Sequence, residues 1–382
     1  MRVTVSNSVL NWAIKRSGKR AALERRYPKF NEWLENRSQP TFRQIESLAK
    51  ATGTPLGYFF LSEPPEESLP VPHFRTLETE TLPVPSPDLI ETVQKMEYRQ
   101  AWLREYLLEI GCDPLPYVST AKPGEDPHLV AQRLKEVLDL TDGWAAKCPS
   151  WLVALRELRY KCEDAGIVVV INSVVGNNNH RKLNVSEFRG FVLVDQYAPL
   201  VFVNGADSRA AQMFTLAHEL AHIMLGSSAV FDLRELQPAD DEIEQACNRI
   251  AAEFLVPENE MRSIWPNVYR EPRCFEEIAR RFKVSELVAA RRALDLKLIT
   301  KNIFFEFYQE YLKQERETSV QDDRRADFYA TQNLRIGRRF AESVARAVKE
   351  GRLLYYEAYQ LTGLYGKTFA RYMESLGFEE QY

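Results

Sequence analysis

FTLAHELAHIMLG, residues 214–226, decides how the whole chain is read. On an α-helix, residues four apart lie on one face, so His218 and His222 present two imidazoles to a common point. That arrangement suits two ligands of a tetrahedral zinc ion. Glu219 stands beside them, where its carboxylate reaches water at the metal's open position. Zinc lowers the pKa of such water toward ~7, and a carboxylate base takes the proton. The chain has only five histidines, which makes a chance HExxH pattern rare. The bland alternative is two core histidines on an amphipathic helix. Asp207 or Ser208 is placed to cap this helix, and Gly226 to end it. Phe214, Leu216, Ala217, Leu220, Ala221 and Leu225 give it a buried setting.

A catalytic zinc needs a third protein ligand and an open fourth position. The extended pattern HExxHxxGxxH is absent, because Leu225 stands at its glycine position and Ser228 at its histidine position. The next helical stretch, DDEIEQACNRIAAEFLVP (240–257), offers a carboxylate instead. A helical wheel puts Ile243, Cys247, Ile250 and Phe254 on the buried face and Glu244 at its edge. Glu242, Arg249 and Glu253 are expected on the solvated side. A carboxylate held against apolar neighbours needs a compensating cation, so Glu244 is the expected third ligand. The competing reading is a glutamate favoured by the helix dipole. Asn248, one turn on, is placed to orient Glu244 or a ligand histidine. Cys247 is the poorer ligand, being deeper in the core. The cofactor expectation is one Zn2+ per chain. No oxyanion-stabilising residue is assigned; His180 and Tyr197 are the nearest polar candidates.

Outward from this centre, GIVVVINSVV (166–175), FRGFVLVDQ (188–196) and PLVFVN (199–204) are β-branched or aromatic runs bounded by turn residues. They predict a small sheet with antiparallel pairs, and Gly176-Asn177-Asn178-Asn179 reads as a loop. Phe188–Val194 or Leu200–Val203 is expected to be the edge along which a peptide adds as a strand. Helices are expected over 208–225, 240–255, 274–282 and 284–298. The fold class is α+β and predominantly helical. The chain divides into five segments: a helix-turn-helix-like head (1–62), a proline-rich linker (63–87), a helical connecting region (88–164), a zincin-like core (165–300) and a C-terminal helical extension (301–382).

Residues 1–60 carry 11 Lys+Arg against 4 Glu, whereas the whole chain is −4. A basic head on an acidic body assigns any nucleic-acid contact to the head, although solvated helix faces would give the same composition. The five cysteines are scattered with no CxxC pair, as expected of reduced thiols in a cytosol. No apolar run reaches the ~18 residues that span a bilayer, and no signal-peptide pattern opens the chain. The expected location is cytoplasmic, with no membrane partner.

APLVFVN, FTLAHELAHIMLG and EQACNRIAAEFLVP together resemble the ImmA/IrrE zinc metallo-endopeptidases. The head, with VLNWAIKRSG and QPTFRQIESLAKATGTPLGYFFLSEPP, resembles members carrying an N-terminal XRE-type helix-turn-helix. The tail FYATQNLRIGRRFAESVARAVKEGRLLYYEAYQLTG is similar to the C-terminal extension of the long members. The resemblance implies a narrow-specificity peptidase that cleaves a transcriptional repressor or another regulatory protein. By matching position, His218, His222 and Glu244 are the ligands and Glu219 the base. The expected partner is a protein substrate: a repressor or a neighbouring-gene product, toxin or regulator. The oligomeric state stays open.

The segment where a recognition helix should lie, YPKFNEWLENRSQP, is short and carries Glu32 and Glu35. Asn31, Asn36, Arg37 and Gln39 are its candidate DNA contacts, and Trp33 is expected to pack inward. Otherwise the head is a docking or dimerisation module. The rival function is a DNA-binding regulator or antitoxin-like partner whose zinc site is structural or vestigial; an intact Glu219 argues against it.

Overall fold

A computed structural model describes residues 2–65, 85–231, 242–317 and 328–378. The chain divides into two compact units, one built on the first 65 residues with the start of a long helix, the other from Met96 onward. The proline-rich linker lies largely outside the described residues.

In the head, α1 (Asn7–Ser17), α2 (Arg20–Arg26), α3 (Phe30–Leu34) and α4 (Phe42–Thr52) are followed by a 3-10 turn at Leu56–Phe60. Gly18 and Gly53 end α1 and α4 in the left-handed conformation. Helix α4 begins with a reciprocal cap. The Thr41 hydroxyl accepts from the Gln44 N–H at 3.3 Å, and the Gln44 side chain accepts from the Thr41 N–H at 2.8 Å. Val9, Leu10, Leu23, Phe30, Trp33, Ile45, Leu48 and Phe59 fill a core belonging to this unit alone. Trp33 is buried, as its sequence context predicts.

The body starts within α5 (Pro87–Glu109) and continues through α6 (Pro127–Val137) and α7 (Trp151–Asp164). Then come β1 (Val168–Asn172), β2 (Val174–Val175), β3 (Asn178–Lys182), β4 (Gly190–Leu193) and β5 (Leu200–Asn204). Helix α8 (Arg209–Leu225) carries the HExxH stretch, and strand β6 (Ala229–Phe231) and helix α9 (Glu242–Leu255) come after it. Further on are α10 (Glu258–Val268), α11 (Cys274–Phe282), α12 (Glu286–Asp295) and α13 (Lys301–Glu317). The last elements are α14 (Phe328–Ile336), α15 (Arg338–Lys349), α16 (Tyr355–Thr362) and α17 (Gly366–Ser375).

The main sheet has strand order β1-β5-β4-β6, with β1 and β5 parallel and the other pairs antiparallel. Every residue of β1, β4 and β5 is buried, which is why these runs read as continuous apolar sequence. Two expectations about strands are corrected. Neither β4 nor β5 is an edge, since the three-residue β6 pairs with β4 and is too short to stand out as a hydrophobic run. The stretch expected as a loop at 176–179 is the turn and opening of a second sheet, the hairpin β2–β3.

One large core gathers side chains from α6, α7, β1, β5, α8, α9, α11 and α12. The region read as connecting helices thus supplies part of the wall around α8. That helix is buried over most of its surface, because the sheet covers one side and α9, α7 and α6 cover others. At the far side α14 and α15 pack on β1. There the buried Glu163 carboxylate accepts the Arg338 N–H at 2.6 Å, capping α15 from another helix.

Candidate metal centre

Helix α8 sets the geometry of the centre. Ser208 caps it by accepting from the Ala211 N–H at 3.2 Å, while Asp207 instead pairs with Arg189 at 2.6 Å. Gly226 closes it in the left-handed conformation. His218, Glu219 and His222 lie inside these caps, all fully buried.

The two histidines converge, with Nε2 atoms 3.1 Å apart. Glu244 of α9 completes the group. One carboxylate oxygen lies 3.2 Å from His218 Nε2 and the other 3.1 Å from His222 Nε2. Three ligand atoms each ~2.0–2.1 Å from one tetrahedral centre stand about 3.3 Å from one another, so these separations suit a shared small cation. Asn248 places its amide oxygen 3.1 Å from His218 Nδ1. With the proton on Nδ1 donated to that oxygen, the Nε2 lone pair faces the centre, the tautomer a metal requires.

Charge agrees with this geometry. Burial pushes the Glu244 carboxyl up, but the two imidazoles outweigh it and hold the group well below the usual carboxylate range. Burial lowers His218, against the pull of Glu244. Glu219 is different: burial and then the charge of Glu244 raise it well above an ordinary glutamate. Both its carboxylate oxygens are buried without a hydrogen-bond partner among the described residues. Such a group costs several kcal/mol when ionised unless a cation or a water stands beside it. The donor set and the orphaned carboxylate therefore fit a divalent metal with an open position.

Cys247 also lies near. Its sulfur, with one nitrogen of each histidine, forms a cluster whose atoms are all within 4.8 Å of one another. Of the two third-ligand geometries, Glu244 is the tighter, since it meets both Nε2 atoms at contact distance. Cys247 is fully buried, as the wheel anticipates.

Glu253, expected on the solvated side of α9, is instead buried. It pairs with Arg292 of α12, and its Oε1 lies 3.1 Å from His128 Nδ1 of α6. A wheel drawn on one helix cannot show that two other helices cover its second face. Sequence reasoning also missed Gly190 of β4. A Cβ there would lie 2.5 Å from Thr215 Cγ2 and 3.1 Å from Glu219 Oε1, so only glycine lets α8 settle on the strand. An isolated glycine inside an apolar strand was the available signal.

His180 sits on the exposed hairpin and Tyr197 in a surface cleft of about 320 Å³ with Arg104 and Asp195. Neither is brought into the buried group. In the head, Asn31 lies on α3, while Asn36, Arg37 and Gln39 follow it in a loop. Asn36 adopts φ 55°, and Arg37 is ion-paired with Glu35.

Residues 162–294 match the family model of the IrrE N-terminal-like domain, a peptidase M78 domain. Residues 336–375 match a domain of unknown function, DUF8813. No curated protein matches the chain. The class defined by the match is a metallopeptidase-type domain, and it encloses the whole buried group. None of the helices in the described residues is long and apolar enough to cross a membrane.

Proposed function

We propose that the chain is a zinc-dependent endopeptidase of narrow specificity, with His218, His222 and Glu244 as ligands and Glu219 as the base. The observation that carries this reading is the approach of both Glu244 oxygens to the two Nε2 atoms at 3.1–3.2 Å, with Glu219 orphaned beside them. Zinc held there would polarise a peptide carbonyl and make water acidic near neutral pH. The chain's own part is to present two Nε2 lone pairs, fixed on the His218 side by Asn248. Glu219 receives the proton of the attacking water and returns it to the leaving amine.

The substrate is an extended segment of a protein, and a repressor or another regulatory partner is the proposed class. Among the described residues β6 is the terminal strand on the β4 side, and a peptide pairing along it would extend the sheet by one strand.

Metal content and turnover test it together. The purified protein should hold zinc near one per chain, and Glu244→Ala should lose it. Glu219→Gln should keep the zinc yet abolish cleavage of a co-purified or co-expressed repressor, read by intact-mass spectrometry. Protein free of zinc, or cleavage unchanged in Glu219→Gln, would sink the proposal.

A further inference from the structure

The end of the body carries a surface to which none of the metal-centre residues belongs. Helices α16 and α17 are joined by the three-residue turn Gly363-Leu364-Tyr365, with Gly363 at φ +71°. Their inner sides are apolar: Ala358, Leu361, Leu364, Phe369, Tyr372 and Met373 are buried, and α15 packs on both helices. The Phe369 ring meets Tyr359 edge-on at 5.2 Å. Buried Arg99 fixes the unit by donating to the Leu361 carbonyl at 2.9 Å and the Arg335 carbonyl at 3.0 Å. A rigid pair of helices at a short glycine-containing turn is the outline of a helix-turn-helix.

The outer side of α17 is polar. Lys367, Thr368, Arg371 and Glu374 are exposed, and neither cation has an ion pair among the described residues. Tyr356 and Tyr365 are 70% and 60% exposed nearby in sequence. Across α16 and α17 the two cations stand against Glu357 and Glu374, and the excess of positive charge comes from Arg181 and Lys182 of the β2–β3 hairpin, which carries no acid.

A second element meets this unit at its turn. Asn177, at the tip of the β2–β3 hairpin, donates to the Gly363 carbonyl at 3.0 Å, and Arg335 donates to Asn179 at 2.8 Å. Strand β3 reads Asn-Asn-His-Arg-Lys and is exposed over nearly its whole length. A two-stranded hairpin is marginal alone, and this one is tied to the turn by side-chain amides. Helix and hairpin together offer amides, hydroxyls, tyrosines and cations, with Leu354 at the start of α16 as the exposed aliphatic side chain and Glu357 and Glu374 as exposed acids. Protein interfaces deplete lysine at their centre, whereas a phosphate backbone selects for such a mixture.

We propose that α16, α17 and the β2–β3 hairpin form a binding surface for duplex DNA. Helix α17 lies in the major groove, Lys367 and Arg371 face it, and His180 and Lys182 of the hairpin meet the flanking backbone. A ten-residue helix fits the major groove of B-form DNA. The deep, narrow major groove of A-form RNA does not admit it.

The test is fluorescence anisotropy of the full chain on a labelled mixed-sequence duplex between about 50 and 200 mM salt. Binding should weaken steeply with salt. Lys367→Ala/Arg371→Ala should lower affinity at least about tenfold and reduce the logarithmic salt slope by about 2. Lys182→Ala should give a smaller loss, and Asn31→Ala/Arg37→Ala in the head should give less than about a twofold change. Thermal unfolding and zinc content should match the parent, which separates a failure here from a failure of the peptidase reading. The proposal is overturned by absence of binding at low salt, by a tail variant that binds like the parent, by loss that follows the head variant, or by double-stranded RNA competing as well as DNA.

Discussion

Head and tail are both small basic helical units, and they differ in what the short helix after the turn exposes. In the head that helix is α3, five residues long, with Phe30 and Trp33 turned into the core and Glu32 within its first turn. Its candidate base-reading residues fall mostly in the following loop, where Arg37 is ion-paired with Glu35. In the tail that helix is α17, ten residues long, with Phe369, Tyr372 and Met373 inside and Lys367, Arg371 and Glu374 outside. Spacing of apolar residues fixes the shape of both units. Chemistry on the outer face and the length of helix available decide what either could touch.

The largest effect is expected at Trp33 of the head. If α3 is a core pillar rather than a reader, Trp33→Ala should cost the head about 3–5 kcal/mol. A separate loss of the head's thermal transition in calorimetry, with zinc content unchanged, would show it; a Tm near the parent would put Trp33 on a working surface instead.

The tail's attachment should depend on pH through Glu163. Burial pushes this carboxyl from its ordinary 4.5 up to about 7, against the pull of Arg159 and the Arg338 N–H. The folded state then holds a proton that the unfolded chain has released. Stability from this group is therefore full below about pH 4.5 and is lost as pH rises through 7. At about 1.4 kcal/mol per pKa unit the change is of the order of a few kcal/mol. Urea midpoints of Glu163→Gln across that window should be flatter with pH than those of the parent; parallel curves would contradict the assignment.

Gly363→Ala should cost about 1–2 kcal/mol through its left-handed backbone, and hydrogen exchange should quicken across α16 and α17. The smallest effect is expected at the head's cap. Thr41→Ala removes one half of the reciprocal bond and should lower head stability by about 1 kcal/mol, measurable as a shift in urea midpoint. An unchanged midpoint would mean that Gln44 alone holds the start of α4.

Much of the fold and the site is legible in the sequence because it is local. The bounds of α1, α4 and α8 follow from a Ser or Thr before an apolar period and a glycine after it. The i, i+4 spacing of His218 and His222 is a statement about one helix, and so is the nearness of Asn248 to Glu244. The features that escape are non-local. Glu253 reads as solvent-facing because α6 and α12 are remote in sequence, yet they bring His128 and Arg292 to it. Strand β6 escapes because three residues carry no period, and only its pairing with β4 reveals it. Gly190 reads as an interruption until α8 is laid across it.

The helix bearing HExxH, its caps, the buried runs of the sheet and the helical stretch that carries Glu244 follow from the sequence. Local periodicity, capping chemistry and residue type are enough for each of those. Tertiary structure alone decided that Glu244 reaches both imidazoles, that Glu219 has no donor beside it among the described residues, and that a hairpin residue 186 positions away in sequence meets the turn at Gly363. These depend on distances between separate elements, and such distances are set by packing, which a linear pattern does not encode.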